Sequence, residues 1–241
     1  WIWQDYDPSC TYLMSADVAR GDGKDYSTFH IINLVTMTVV AEYQGKMSPD
    51  HFAPFLASNG KQYGECMMVV ENNNIGYTVL EKVKDLGYTN VYHSVKSTHE
   101  YVEQHLAEHR SNCVPGFTTS GKTRPMILAK LEEFIRNDII KLHSSRLLNE
   151  LKTFVWNNNK PEAMRGYNDD LVMALAIACW VRDTALTVNQ RDVEYAKAMV
   201  NSMFKGGTTI STTIPGMVGH KDIKRTNNVK QAQEFAWLYK G

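Results

Sequence analysis

The chain has 241 residues, 43% of them hydrophobic and 22% charged, with 26 basic side chains against 26 acidic ones. Such a composition is that of an ordinary soluble globular protein able to bury one substantial core. It excludes a transmembrane bundle, since no apolar run nears the roughly 18 residues that a span needs, and zero net charge argues against tight autonomous binding to nucleic acid. No signal peptide is visible, and no membrane partner is expected. Cys10, Cys66, Cys113 and Cys179 lie far apart without a CxxC pair. That pattern fits four reduced thiols in a cytosolic protein rather than a disulfide framework or a zinc site. The chain opens Trp1-Ile2-Trp3 without an initiator Met and reads as a fragment of something longer.

In chain order, residues 11–18 read as a buried strand, which the glycines of Arg20-Gly21-Asp22-Gly23 turn back. Residues 27–36 and 38–45 are β-branched and aromatic with almost nothing between them, the signature of a hairpin. Ser48-Pro49-Asp50 caps a helix running to about Gly60. Residues 66–71 are the next strand, 75–86 a helix closed by Gly87, and 90–93 a short fifth strand. Residues 94–117 lack periodicity and are expected to be irregular. Helices follow over 125–137 and 145–153, with a short apolar segment at 139–142 between them. The polar stretch 154–167 has a strand-like start and suits a hairpin. Residues 169–184 are apolar nearly all round, hence a buried helix. A further helix is expected over 192–204, then a weakly ordered tail over 206–241 rich in Gly, Thr, Asn and Lys. The order β-β-β-α-β-α-β predicts an α/β fold, a mixed five-stranded core sheet flanked by helices.

Three carboxylate positions stand out. Asp17 and Glu71 end the apolar strands 12–16 and 67–70, and the pair Asp169-Asp170 opens the buried helix. An acid at the edge of a core element is either a solvated end or a ligand for something positive. Three such sites on two strands and a helix start are what a divalent-metal site needs, because hard cations take oxygen ligands. Asp25 follows a glycine turn that can fold it toward Asp17. Helix capping explains one acid of the Asp169-Asp170 pair, but Asn168 could already cap. Between Gly121 and Arg165, nine Lys or Arg face five acids. Lys122, Arg124, Lys160 and Arg165 are the candidates there for holding a phosphate backbone.

Two other motifs point elsewhere. Gly116 to Thr123 fits the letters of a P-loop, but Val114-Pro115 leaves no preceding strand and Arg124-Pro125 delays the helix, so no nucleotide site is expected. His105-Leu106-Ala107-Glu108-His109 has the spacing of an inverted zinc-protease motif, yet it lies in a polar stretch without a further ligand and reads as solvated surface.

Together, SADVARGDGKDYS, MMVVENNNIG, PGFTTSGKTRP and YNDDLVMALAIA resemble, in order and spacing, the C-terminal nuclease domain of the large terminase subunits of tailed phages, in the contractile-tailed branch. The resemblance covers residues 12–184. It implies an RNase H-like fold whose carboxylates bind two divalent ions, Mg²⁺ or Mn²⁺. Asp17, Glu71 and Asp170 would be catalytic and metal-binding, with Asp25 and Asp169 as accessory acids. It also implies residues 1–10 as a linker from an N-terminal ATPase domain, 11–205 as the nuclease domain, and 206–241 as the tail. The function implied is endonucleolytic cutting of concatemeric double-stranded DNA during genome packaging. Portal protein and small terminase subunit would be partners, and the site of action the infected host's cytoplasm, at the procapsid portal. The same triad would serve a junction resolvase or a transposase-like nuclease, and a portal-docking module without catalysis is the alternative of another class.

Overall fold

Alternation along the strands decides which helices pack on which face of the sheet. The computed structural model describes residues 1–73, 75–96, 101–102, 104–107, 111–157 and 160–184. Strands β1 (Tyr12–Asp17), β2 (Ser27–Asn33), β3 (Thr38–Gly45) and β4 (Met67–Val70) form one sheet in the order β3-β2-β1-β4. The β1–β2 and β2–β3 pairs are antiparallel and β1–β4 is parallel, so the sheet is mixed. Successive side chains point to opposite faces. Tyr12, Met14, Ala16, Met68 and Val70 therefore share a core with Phe52 and Leu56 of α1 (Pro49–Gln62) and with Val79, Leu80 and Val83 of α2 (Ile75–Asp85). Leu13, Ile32 and Val69 face the other way, into a core with Ile127, Leu131 and Phe134 and with the apolar helix at residues 170–184.

The expected fifth strand is present only in part. Val91 bridges Met68, and Phe117 bridges Glu71, both parallel, so the edge beyond β4 is shared by two separate segments. Gly116 makes the second of these contacts possible. Its φ of +80° suits glycine, and a Cβ there would stand 2.4 Å from the Val70 carbonyl oxygen. The sheet thus has four named strands where the sequence suggested five.

Residues 94–117, expected to be irregular, instead carry a small sheet of order β6-β5-β7: β5 (His93–Val95), β6 (Tyr101–Val102) and β7 (Cys113–Pro115), with α3 (Gln104–Ala107). Strands of two or three residues are too short to show a period, which is why the sequence hid them. Helix α4 (Thr123–Arg136) begins two residues before the expected start, with Pro125 in its first turn, where a missing N–H costs nothing. Next come α5 (Ser145–Thr153), the hairpin of β8 (Phe154–Asn157) and β9 (Lys160–Ala163), and α6, helical over 170–184. Residues 1–3, taken as part of a linker, lie along β3. The amino group of Trp1 donates to the Glu42 carbonyl at 2.8 Å, and Trp3 N donates to the Val40 carbonyl at 2.8 Å. The expected helix at 192–204, the boundary at 205 and the tail lie outside the described residues. Cys10, Cys66, Cys113 and Cys179 are all free thiols. Among the described residues no helix is long and apolar enough to cross a membrane.

Candidate active site

Register brings the first two acids together. In the parallel β1–β4 pair Ala16 sits beside Val70, so Asp17 and Glu71 are the next residues at the same end of adjacent strands. Neighbouring strands lie about 4.8 Å apart. Glu71 N donates to the Ala16 carbonyl at 2.9 Å, which fixes its backbone on β1. By alternation Asp17 lies on the same face as Leu13, and Glu71 on the same face as Val69, the face covered by α6.

The third acid arrives from that helix. Thr28, the β2 partner of Asp17, donates through Oγ1 to the Asp170 carbonyl oxygen at 3.1 Å. The Asp170 carboxylate accepts from Tyr26 N at 2.9 Å and from Asn168 Nδ2 at 3.0 Å. Glu71 Oε1 accepts from Asn73 Nδ2 at 2.9 Å, and the same amide group donates to the Thr119 carbonyl. Gly76, in the first turn of α2, packs directly on the Glu71 carbonyl.

Electrostatics report how close the acids stand. Asp17 keeps part of its surface exposed, yet protein surrounds its carboxyl closely enough that burial is the main cause raising its pKa well above the carboxylate range. The Glu71 charge, a hydrogen bond to Glu71 and the Asp170 charge push it the same way. Burial also raises the Asp170 carboxyl, and the charges of Asp25 and Asp169 add to the rise, against hydrogen bonds from Tyr26 and Asn168 that lower it. All five predicted acids are therefore charged neighbours of Asp17 or Asp170. Asp169 is also paired: Arg124 Nη2 donates to its Oδ2 at 2.5 Å, while Arg124 Nε donates to the Pro161 carbonyl at 3.3 Å. Among the described residues no three His, Cys, Asp or Glu side chains stand close enough together to hold a metal ion as they are oriented here. Glu71, Asp169 and Asp170 each accept from a protein donor of their own.

An oxygen-rich cluster in which burial and neighbouring acid charges raise Asp17 and Asp170 fits a hard divalent cation. A carboxyl whose folded pKa is raised keeps its proton where the unfolded chain has lost it, so its contribution to stability falls as pH climbs above about 4 toward the raised value. Asp17→Asn removes that penalty. In metal-free buffer the melting temperature of the variant should exceed that of the parent by a margin that widens as pH rises from about 4 toward the raised value. A margin that stays constant over that range would mean that Asp17 is an ordinary solvated acid.

The basic candidates divide. Lys122, Lys160 and Arg165 are exposed and form no ion pair among the described residues, whereas Arg124 is committed to Asp169. Other members of the basic stretch are also used internally: Lys130 pairs with Glu133 and Asp183, Arg136 with Glu132, and Arg146 with the buried Glu42. Both premises used against a P-loop at Gly116 to Thr123 are corrected, since β7 precedes it and α4 starts at Thr123. The loop hydroxyls, however, serve the loop itself. Thr123 Oγ1 donates to the Thr118 carbonyl at 3.0 Å and accepts from Ser120 N at 2.8 Å. In the zinc-protease lookalike, Glu108 and His109 lie outside the described residues.

Sequence reasoning missed the residues that hold the acids: Tyr26, Thr28, Asn73, Asn168 and, above all, Glu150. Glu150 Oε2 accepts from Leu171 N at 2.9 Å and from Val172 N at 3.3 Å, and Gln44 Nε2 donates to its Oε1 at 2.7 Å. Neither Asp169, Asp170 nor Asn168 caps α6 with its side chain. Burial pushes the Glu150 carboxyl up to about 7, against the lowering effect of those hydrogen bonds.

No family model matches the chain. Its structure is similar to that of the large terminase nuclease from thermophilic phage G20c with bound magnesium, at a TM-score of 0.57 and 18% identity, covering 74% of this chain and 85% of that one. The cobalt-bound form of the same nuclease gives 0.58 and 19%, with coverage of 74% and 85%. The large terminase nuclease domain of Thermus phage P74-26 gives 0.56 and 19%, with coverage of 73% and 82%. At such identity the likeness is one of fold, and the chain has the RNase H-like α/β fold of these phage large terminase nuclease domains.

Proposed function

We propose that the chain is the nuclease domain of a tailed-phage large terminase subunit, of the contractile-tailed branch, and that it cuts concatemeric double-stranded DNA by metal-dependent phosphodiester hydrolysis. The observation that carries this reading is the placement of Asp17, Glu71 and Asp170 at the same end of the sheet, 153 residues apart in sequence at the extremes, with the Asp17 carboxyl raised first by burial and then by the charges of the other two. Acids that were merely solvated would have no reason to converge.

In this reading Asp17, Glu71 and Asp170 hold two Mg²⁺ or Mn²⁺ ions, and Asp25 and Asp169 shape the field around them. Bound there, such ions supply Lewis-acid activation of water and neutralise charge developing on the scissile phosphate. The protein's own part is placement. Asp17 is fixed by the strand, Glu71 by the Ala16 carbonyl and Asn73, and Asp170 by Tyr26 and Asn168. Arg124 offsets the Asp169 charge and ties the helix start to the β8–β9 hairpin. Lys122, Lys160 and Arg165 hold phosphates without reading bases. An N-terminal ATPase domain, the portal protein and the small terminase subunit belong to this proposal as partners. The procapsid portal in the host cytoplasm belongs to it as the place of action.

The test is nicking and linearisation of supercoiled plasmid with Mg²⁺ or Mn²⁺, with EDTA as control and a four-way junction as competing substrate. Cutting of plain duplex supports a packaging nuclease. Cutting confined to the junction moves the chain to the resolvases, and no cutting with either metal removes the catalytic reading.

The basic surface has its own expected result. The double reversal Lys160→Glu, Arg165→Glu should weaken binding to all duplex sequences alike and make the dependence of log affinity on log salt shallower by about two lost phosphate contacts. Salt slopes equal to the parent's would leave these residues as ordinary solvated positions on a hairpin.

A further inference from the structure

A helix needs acceptors for its first backbone N–H groups, and the residue just before it usually provides one from its own side chain. For α6 that residue is Asp169, whose carbonyl accepts the first helical bond from Met173 N at 2.8 Å. Its carboxylate does not turn back to the helix, because Arg124 holds it. Asp170 does not cap either, since its carboxylate is taken by Tyr26 N and Asn168. The donors at Leu171 and Val172 are satisfied instead by Glu150, reaching across from α5, while Gln44 of β3 holds the far oxygen of that carboxylate.

We propose that Glu150 is a positioning residue for the acid cluster: by capping α6 from a neighbouring helix it releases both Asp169 and Asp170 from capping, so that one pairs with Arg124 and the other faces Asp17 and Glu71. This rests on the nuclease reading above and deepens it.

Two further contacts locate the same turn of helix. Thr28 Oγ1 donates to the Asp170 carbonyl, and His30 Nε2 donates to the Leu171 carbonyl at 3.0 Å, so β2 fixes the carbonyls while Glu150 fixes the N–H groups. Glu150 is only 8% exposed and lies on the inward side of α5 with the fully buried Leu147. A carboxylate there is out of keeping with a packing role, since an apolar residue would fill the position without the cost of burying a charge. Its two backbone bonds are what it contributes. Without them the Leu171 and Val172 N–H groups would lack an acceptor; the carboxylate of Asp169 or Asp170 is the nearest alternative, and turning to the helix would withdraw it from the cluster.

The experiment compares the parent with Glu150→Gln, Glu150→Leu and Gln44→Met in the full chain, measuring the Mn²⁺ concentration for half-maximal plasmid nicking and the rise in melting temperature on adding Mn²⁺ to protein freed of metal with EDTA. Glu150→Leu should raise the midpoint by about tenfold or more, the loss typical of removing a group that orients a metal ligand, and should shrink the Mn²⁺-induced rise. Glu150→Gln keeps an acceptor oxygen for the helix, once Gln44 flips its amide to meet it, and should stay within about threefold of the parent. A purely structural role predicts otherwise: melting temperatures lowered equally with and without Mn²⁺ and a midpoint equal to the parent's, and that result overturns the proposal. Should Glu150→Leu fail to fold, Gln44→Met decides, because it loosens Glu150 from the other side. A two- to fivefold rise in midpoint supports the proposal, and none overturns it. A parent protein that neither nicks DNA nor gains stability with Mn²⁺ refutes the nuclease reading itself, whereas an active parent with indifferent variants refutes only the role of Glu150.

Discussion

Asp17→Asn, Glu71→Gln and Asp170→Asn should each lower metal-dependent nicking of plasmid DNA on the order of a thousandfold. A bound ion contributes several kcal/mol of charge stabilisation in the transition state, and about 1.4 kcal/mol corresponds to a factor of ten in rate. Each variant is isosteric and replaces a charged oxygen by an amide nitrogen, so the fold should survive. For Asp17 and Asp170 the metal-free protein should gain stability near neutral pH, because a carboxyl raised in the folded state lowers stability at any pH above the ordinary carboxylate range. Loss of activity with retained or increased thermal stability is a combination that a strand-end or capping acid would not produce. A cap would lose stability with its carboxylate, and a solvated acid would lose nothing. Asp169→Asn provides the contrast. Its carboxylate is paired with Arg124, so its loss should reduce activity far less than that of Asp170. Equal activity in the Asp17→Asn and parent proteins, assayed by gel conversion of supercoiled plasmid, would end the metal-nuclease reading.

The parts of this arrangement that were legible in the sequence are those with local signatures. Apolar, β-branched and aromatic runs bounded by turns placed β1 to β4, the Ser48-Pro49 start placed α1, and an all-apolar run placed α6, so the two strand-end acids and the helix-start pair could be named from local pattern alone. What brings them together is not local. Register between β1 and β4 depends on pairing across some 50 residues, and no feature of either segment alone states it. The edge beyond β4 misled because it is divided between Val91 and Phe117, each too brief to read as a strand.

Residues 94–117 show the same limit, since strands of two and three residues are set by their partners rather than by their own pattern. The cap of α6 is the clearest case. Capping was sought in Asn168 and the Asp169-Asp170 pair because local caps have a sequence spacing, whereas Glu150 acts from 21 residues away through a helix–helix contact that has none. The one signal available was an acid placed among Leu147 and Leu151 on the inward side of α5. Likewise Arg124, read as a phosphate contact, could be recognised as the partner of Asp169 only once α4 and α6 lay side by side.

Gly76→Ala should damage both the fold and the site, although alanine is the better helix former. Gly76 lies in the first turn of α2, and a Cβ there would stand 1.7 Å from the Glu71 carbonyl oxygen, where ordinary contact begins near 3.4 Å. Alanine gains about 1 kcal/mol of helix propensity over glycine and restricts the unfolded chain. That gain cannot offset an overlap of this size with backbone, which has no rotamer to yield. Relief requires α2 to move off the sheet or the backbone of Glu71 to shift, and overpacking of this kind typically costs about 1–3 kcal/mol. For a domain of this size each kcal/mol lowers the melting temperature by about 2–4 °C, so a net fall of several degrees is expected by calorimetry. The second consequence belongs to the site. The carbonyl struck by the new methyl group is that of the residue whose carboxylate stands beside Asp17, and a displacement of even 1 Å in a catalytic group can cost on the order of a hundredfold in rate. Nicking should therefore fall by more than the lost stability explains when both proteins are assayed well below their melting points. If Gly76→Ala melts at or above the parent temperature and nicks DNA at the parent rate, then α2 does not press on Glu71, and the placement of that acid rests on β4 alone.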